Sequence, residues 1–273
     1  MTNSVSQQGG YLLHYTQYGD ANFIVDFFSL GHGRVSMLAK GARSSKPVTR
    51  ALYQPFRPLL VSWWGEHELR TLTGIEESGD ALVLTGMALP CGYYLNELLL
   101  RLLPKEQVQT TLFAHYALAL AELAETPDKP EPILRGFEMQ LLEALGLLPD
   151  FLACESEGND IDVTAHYQFY PTLNRAVLMP DDLSAMAIPK IKPTEPVYHD
   201  DGETIAHGIK VSGKALMALA NFNLSEPSVL AEIKPLMRQL LRMHLGDKPL
   251  NSRELFASLT PPPPPPKPDT ASD

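Results

Sequence analysis

Residues 23–40 read FIVDFFSLGHGRVSMLAK. Two β-type runs, 23–28 and 34–40, flank a glycine-rich turn signal at Gly31-His32-Gly33, the pattern of a hairpin. In the second run Val35, Met37 and Ala39 share one face, and Arg34, Ser36 and Lys40 share the other, with Leu38 the exception. Apolar bulk is inside and charge outside. Similar runs lie at 11–15, 59–64 and 68–73, separated by Tyr18-Gly19-Asp20 and Gly65-Glu66. About five short strands in 80 residues predict a small antiparallel barrel, most simply an OB-like one. In the run 59–64, Leu59, Val61 and Trp63 read as core while Ser62 and Trp64 face outward.

The period changes near residue 80. Tyr94, Leu95, Leu98, Leu99, Leu102 and Leu103 form one helical stripe that stops before Pro104. Further helices are predicted at 112–123 and 132–147, the latter with Leu134, Phe137, Leu141, Leu142 and Leu145 on one face and Gly146 near its end. Residues 149–201 are irregular and rich in Asp and Pro. Helical spacing returns at 214–220, at 229–245 with a kink expected at Lys234-Pro235, and at 252–259. The expected fold is therefore α+β and multidomain: a barrel over 1–80, a helical bundle whose two parts cover 81–150 and 206–260, and an irregular insertion over 151–205. The tail 261–273 opens with six prolines and is expected to be disordered.

With 273 residues, 44% of them hydrophobic, the chain can bury a substantial core. Cys91 and Cys154 lack CxxC spacing and read as reduced thiols of a cytoplasmic protein. The polar N-terminus has no signal-peptide pattern. The apolar region 81–103 is interrupted by Pro90, Gly92, Asn96, Glu97 and Arg101, so no membrane span is expected.

Charge is the strongest functional signal. The chain holds 22 Lys+Arg against 32 Asp+Glu, a formal net charge of -10. Between Gly31 and Leu60, however, it carries Arg34, Lys40, Arg43, Lys46, Arg50 and Arg57 and no acid. A cationic patch held against the global balance predicts a polyanionic ligand. The segment 41–47 has the composition of a mobile arm that could lie along a phosphate backbone. Edge-strand protection by long cations would account for Arg34 and Lys40 but not for the residues beyond the strand. Tyr53, Phe56 and Trp64 are candidate stacking surfaces for unpaired bases, with local packing the alternative for the first two.

Catalytic signatures are lacking. There is no Walker loop, GxGxxG, HExxH or GxSxG, and the histidines show no ligand spacing. Asp181-Asp182 and Asp200-Asp201 could hold a divalent ion for phosphoryl transfer, but their Pro-rich context favours turn and cap roles. A protein-binding adaptor that ignores DNA is the other alternative. The chain reads as a binding protein with no catalytic residue and no cofactor.

Several motifs together resemble one family. FIVDFF at 23–28, GRV at 33–35, AKGAR at 39–43 and LYQPFRPL at 52–59 resemble the N-terminal domain of the RecO family of bacterial recombination mediators. CGYYLNELL at 91–99, RGFE at 135–138 and LGDKPLNSREL at 245–255 resemble its helical domain, in the family's order. The resemblance implies an OB-fold followed by a helical bundle. It also implies binding of single- and double-stranded DNA, annealing of complementary strands, and help in loading RecA onto DNA covered by the single-strand binding protein SSB, together with RecR.

Two points of the resemblance touch particular residues. Several members hold zinc through four cysteines in the region after a motif like LGLLPD at 145–150. Here Cys154 stands at the first position and no cysteine follows; His166 and Asp162 lack ligand spacing, so no zinc is predicted. The SSB tail is acidic and ends in an apolar residue with a free carboxylate, which requires an apolar groove beside a cation. Arg135 beside Leu134 and Phe137, with Arg101 and Lys105 as neighbours by helix order, is the expected place, an ordinary solvated role being the alternative for each cation.

Overall fold

The computed structural model describes residues 4–154, 160–179, 197–198, 204–205, 208–246 and 248–259. Five strands, β1 (Ser4–Tyr18), β2 (Asn22–Ser29), β3 (Gly33–Ala39), β4 (Pro58–Trp64) and β5 (Leu69–Glu77), close into a barrel in the order β1-β2-β3-β5-β4. This is OB-type topology. The expectation of a wholly antiparallel barrel is corrected at one seam, because β3 and β5 run parallel over Ser36↔Leu69 to Leu38↔Thr71. The chain crosses to β4 before returning as β5, so β5 meets β3 in the same direction.

Closure depends on β1, whose 15 residues pair with β4 through one half and β2 through the other. Gly10 lies in the overlap, opposite both Ser29 and Leu59. A Cβ there would stand 2.2 Å from the Phe28 carbonyl oxygen, so only glycine permits this approach. Inside the barrel, alternate residues of each strand form one core that includes Leu12, Phe23, Val25, Phe27, Val35, Met37, Leu59, Val61 and Trp63. The inward alternation expected for β3 and β4 holds, with Trp63 only 1% exposed and Trp64 turned out at 59%.

The segment expected to be a mobile arm is instead folded. Gly41 adopts φ +66, Ala42–Ser44 form a 3₁₀ turn, and Pro47–Ala51 form a short helix, α1, with proline at its first turn. Buried Ala42, Leu52 and Tyr53 join the barrel core. Burial of these apolar residues gives the segment an anchor that its Gly, Ser and Lys content concealed.

The helical body comprises α2 (Ala88–Leu102), α3 (Thr110–Glu125), α4 (Pro130–Ala144), α5 (Gly213–Ala220), α6 (Pro227–Leu245) and α7 (Ser252–Leu259). The 19-residue α6 continues through Pro235 as one element. Residues expected to be irregular contribute strands β6 (His166–Tyr170) and β7 (Arg175–Leu178), which pair with β10 (Ile209–Ser212) in the order β10-β6-β7. Buried Tyr167, Phe169, Ala176 and Val211 fasten this sheet to the helical core, an alternation too short to stand out among the surrounding Asp and Pro. A two-residue pair, β8 (Val197–Tyr198) with β9 (Thr204–Ile205), is also described. Asp181-Asp182, Asp200-Asp201 and the proline tail lie outside the described residues.

Barrel and helices share an interface. Phe28, on β2, and Leu13, on β1, leave the barrel interior and join the helical core. Phe28 meets Phe113 and Tyr116 edge-on, at 5.3 and 6.0 Å between ring centroids. At the same junction Asn96 donates from Nδ2 to the Leu13 carbonyl at 2.9 Å and accepts from the Tyr116 hydroxyl at 2.6 Å. The buried Asn96 amide thus has one partner in the barrel and one in the helical body. Among the described residues no helix is long and apolar enough to cross a membrane.

Candidate nucleic-acid interface

The six cations of the basic stretch separate into two groups. Arg34 faces the helical body: Nε donates to the Leu103 carbonyl at 2.9 Å, and Nη1 lies 3.6 Å from Asp26 Oδ1. Arg57 pairs with Glu77. Lys40, Arg43 and Lys46 follow one another along the β3–α1 connection and Arg50 lies on α1, and none of the four has an acidic partner among the described residues. Lys40, Lys46 and Arg50 are exposed. Arg43 is half-buried, its Nη1 donating to the Gly19 carbonyl at 3.1 Å and its backbone N–H to the Ala21 carbonyl at 3.0 Å.

Strand register explains this collection at one rim. Phe23 pairs with Ala39 and Tyr18 with Asn22, which brings the β1–β2 turn beside Lys40. Asn22 Oδ1 accepts the Gly41 N–H at 2.9 Å and locks the two connections together. A positive φ at Gly41 then turns the chain so that Arg43 reaches back to Gly19. Charge that sequence alone assigned to a loose loop is held on a scaffold.

A cleft of about 280 Å³ lies beside this rim. Pairing of β5 with β3 ends at Thr71, and the chain from Leu72 to Ile75 faces Lys40, Gly41, Ser45, Thr49 and Tyr53 across the gap.

Of the three aromatic candidates, Tyr53 and Phe56 are buried, at 6% and 4% exposure. They pack edge-on against Phe23 and Tyr93, at 5.4 and 5.1 Å. Trp64 stands in solvent. Sequence reading passed over Tyr15, Tyr18 and Tyr93, which are exposed on β1 and α2. The signal was available for Tyr15 and Tyr18, since they close an alternating strand at a glycine turn. Tyr93 fell next to the helical stripe and could not be told from it.

Of the residues expected to receive an acidic peptide, Arg135, Phe137 and Arg101 are engaged within the protein. Arg135 is not a surface cation: its side chain is 5% exposed, and Nη1 lies 2.6 Å from Glu138 Oε2, with Nε 3.4 Å from Glu131 Oε1. Glu138 also accepts the Tyr94 hydroxyl at 2.5 Å. Burial raises the Glu138 carboxyl to about 7 against the opposing pull of Arg135 and Tyr94. Phe137 is core. Arg101 bridges Glu97 at 2.7 Å and the carbonyls of Lys248 and Pro249 at 2.7 and 2.5 Å. Lys105 is exposed in the turn after α2, where its backbone bridges to Arg34. Arg135 and Phe137 therefore do not form a surface groove with Arg101 and Lys105. Arg135 and Phe137 lie on α4 and Arg101 on α2, as the periodicity indicates, but the carboxylates that hold the two arginines come from their own helices, Glu131 and Glu138 on α4 and Glu97 on α2.

Among the described residues, no three His, Cys, Asp or Glu side chains converge as a metal site. Cys91 and Cys154 are free thiols, the latter beside Ala176.

A closed OB barrel with a cationic rim, joined without a gap to a helical body, defines an α+β OB-fold protein. Residues 1–78 match the family model described as recombination protein O N terminal, and residues 85–195 match recombination protein O C terminal. The chain is 35% identical over 254 residues to a protein of Glaesserella parasuis named DNA repair protein RecO, covering 93% of this chain and 96% of that one. Proteins of the same name from Nitrosococcus oceani and Haemophilus influenzae are 39% and 36% identical over 254 and 253 residues, covering 92% and 91% of this chain and 93% and 94% of theirs. The chain belongs to the RecO family, a family of DNA repair and recombination proteins.

Proposed function

We propose that this protein binds DNA through the barrel rim formed by Lys40, Arg43, Lys46 and Arg50, and acts in repair as a non-catalytic mediator. The observation that carries the reading is this run of four cations without an acidic partner among the described residues, on a chain of net charge -10. Contacts of this kind engage phosphates and are indifferent to sequence, which suits a protein that must bind any strand. Holding two complementary strands by their backbones leaves the bases free to pair, the requirement for annealing. Family membership supports the further roles: help in loading RecA onto SSB-covered single strands, in concert with RecR, within the cytoplasm. With Arg135 buried, the SSB tail needs a receptor elsewhere on the helical body.

The test is an anisotropy titration of labelled single-stranded DNA over a salt series. Wild type is expected to show a steep negative slope of log affinity against log salt. Arg43→Glu with Lys46→Glu should flatten it by about 1.4 or more, at roughly 0.7 per lost phosphate contact. Identical slopes for the two proteins would remove the rim from the binding surface.

A further inference from the structure

Exposed rings continue the cationic rim toward the helical body. Tyr15 is 40% exposed, yet it rests on Phe23 with ring centroids 4.8 Å apart. Phe23 in turn meets Tyr53 at 5.4 Å, and the Tyr53 N–H donates to the carbonyl of Arg50 at 3.2 Å, so this chain of rings ends at the helix that carries a rim cation. From the other side Tyr93, 37% exposed on α2, is braced edge-on by buried Phe56 at 5.1 Å. The two phenols stand on elements packed against each other, β1 and α2, and burial first, and then Tyr15, raise the Tyr93 hydroxyl above its ordinary value. The exposed His14 ring lies beside Tyr15, 21° from coplanar at 6.4 Å.

A half-exposed tyrosine held by buried rings has little rotamer freedom left to lose, which favours stacking of a flat ligand on its open face. A dinucleotide step presents such a ligand only where its bases are unpaired. Resting on the phosphate-binding reading above, we infer that Tyr15 and Tyr93 form a base-stacking platform that engages single-stranded DNA held at the rim, and that this platform favours single strands over duplex. The alternative occupant, an apolar protein segment, fits less well, because Tyr15 is joined through Phe23 and Tyr53 to the helix that carries Arg50, and each ring bears a polar hydroxyl.

The experiment compares three labelled ligands of equal length at one salt concentration: oligothymidylate, an abasic deoxyribose-phosphate strand, and duplex. The full-length wild type should bind oligothymidylate about 10-fold or more tighter than the abasic strand, in keeping with one or two stacked bases. Tyr15→Ala with Tyr93→Ala should abolish that difference while leaving duplex affinity and the salt slope unchanged, and Tyr15→Phe with Tyr93→Phe should restore it. Equal wild-type affinity for the base-bearing and abasic strands overturns the platform and leaves the phosphate-binding reading standing. Salt-insensitive or absent binding of every ligand overturns both. The wild-type comparison needs no variant, so a folding defect in the alanine protein does not decide the result.

Discussion

Arg135 Nη1 lies 2.6 Å from Glu138 Oε2 in the helical body, the guanidinium 5% exposed and the carboxylate fully covered. Around the pair stand Tyr94 from α2, Glu131 from α4, and Arg238 and Lys234 from α6, the last 2.8 Å from Glu131. Attraction inside the body offsets the loss of hydration, and loss of one partner leaves the other stranded.

Arg135→Ala should therefore destabilise the protein by about 3–5 kcal/mol near pH 8. Glu138 is an acid whose folded pKa, about 7, is raised above its unfolded value. Its proton is held more tightly by the folded state, so the contribution is favourable at low pH and is lost as pH rises toward 7. Without Arg135 that rise extends further, and the deficit should shrink at pH 5. Urea unfolding of both proteins at the two pH values checks this; an equal deficit at both would place the cost in packing alone.

Glu97 closes the contact between α2 and α7. Its carboxylate accepts the backbone N–H groups of Asn251 and Ser252 at 2.8 and 2.9 Å and pairs with Arg101. Burial pushes the carboxyl up, but the two backbone donors and Arg101 outweigh it and hold the group below its ordinary value. A depressed acid stabilises the fold above its unfolded pKa, and that gain is lost as pH falls through the folded one. Glu97→Gln should cost about 1–3 kcal/mol at pH 7, and the cost should decline progressively as pH falls below the ordinary carboxylate range, measured by urea midpoints.

Arg34 and Lys46 should separate structural from ligand-facing charge. Arg34→Gln loses the Leu103 carbonyl contact, and a fall in stability of about 1–3 kcal/mol is expected with an unchanged salt slope of DNA binding. Lys46→Gln should leave the unfolding midpoint unchanged and reduce the slope by about 0.7. The reverse pattern would exchange the two roles.

Thiol chemistry should distinguish the two cysteines. Cys91 has no exposed surface, and burial pushes its thiol up to about 12, whereas Cys154 is half-buried. Labelling of the native protein with an aromatic disulfide at pH 8 should give one fast thiol, at Cys154, with Cys91 reacting only on unfolding. Two fast thiols would mean that the α2 core opens readily.

Much of this architecture was legible in the residues. Alternation in 34–40 and 59–64 and the spacing of Tyr94 to Leu103 have periods that a single element displays, so β3, β4 and α2 could be read without partners. The parallel β3–β5 seam could not, because it depends on where the chain returns after β4. The same limit applies to the cations. Their density between Gly31 and Leu60 marked the rim, but only the positions of Asp26, Leu103 and Glu77 show that Arg34 and Arg57 are engaged elsewhere. Arg135 and Phe137 carry the signature of an amphipathic helix in either role; burial by α2, α3 and α6 selects the interior one.

Asn96 has a mechanical consequence. Because one side chain grips both the β1 backbone and the Tyr116 hydroxyl of α3, any rotation of the barrel against the helices has to break two buried hydrogen bonds. Drawing the barrel away from the helices would leave the Asn96 amide and the Tyr116 hydroxyl buried without these partners, so the cost of separating the two bodies is concentrated in one side chain.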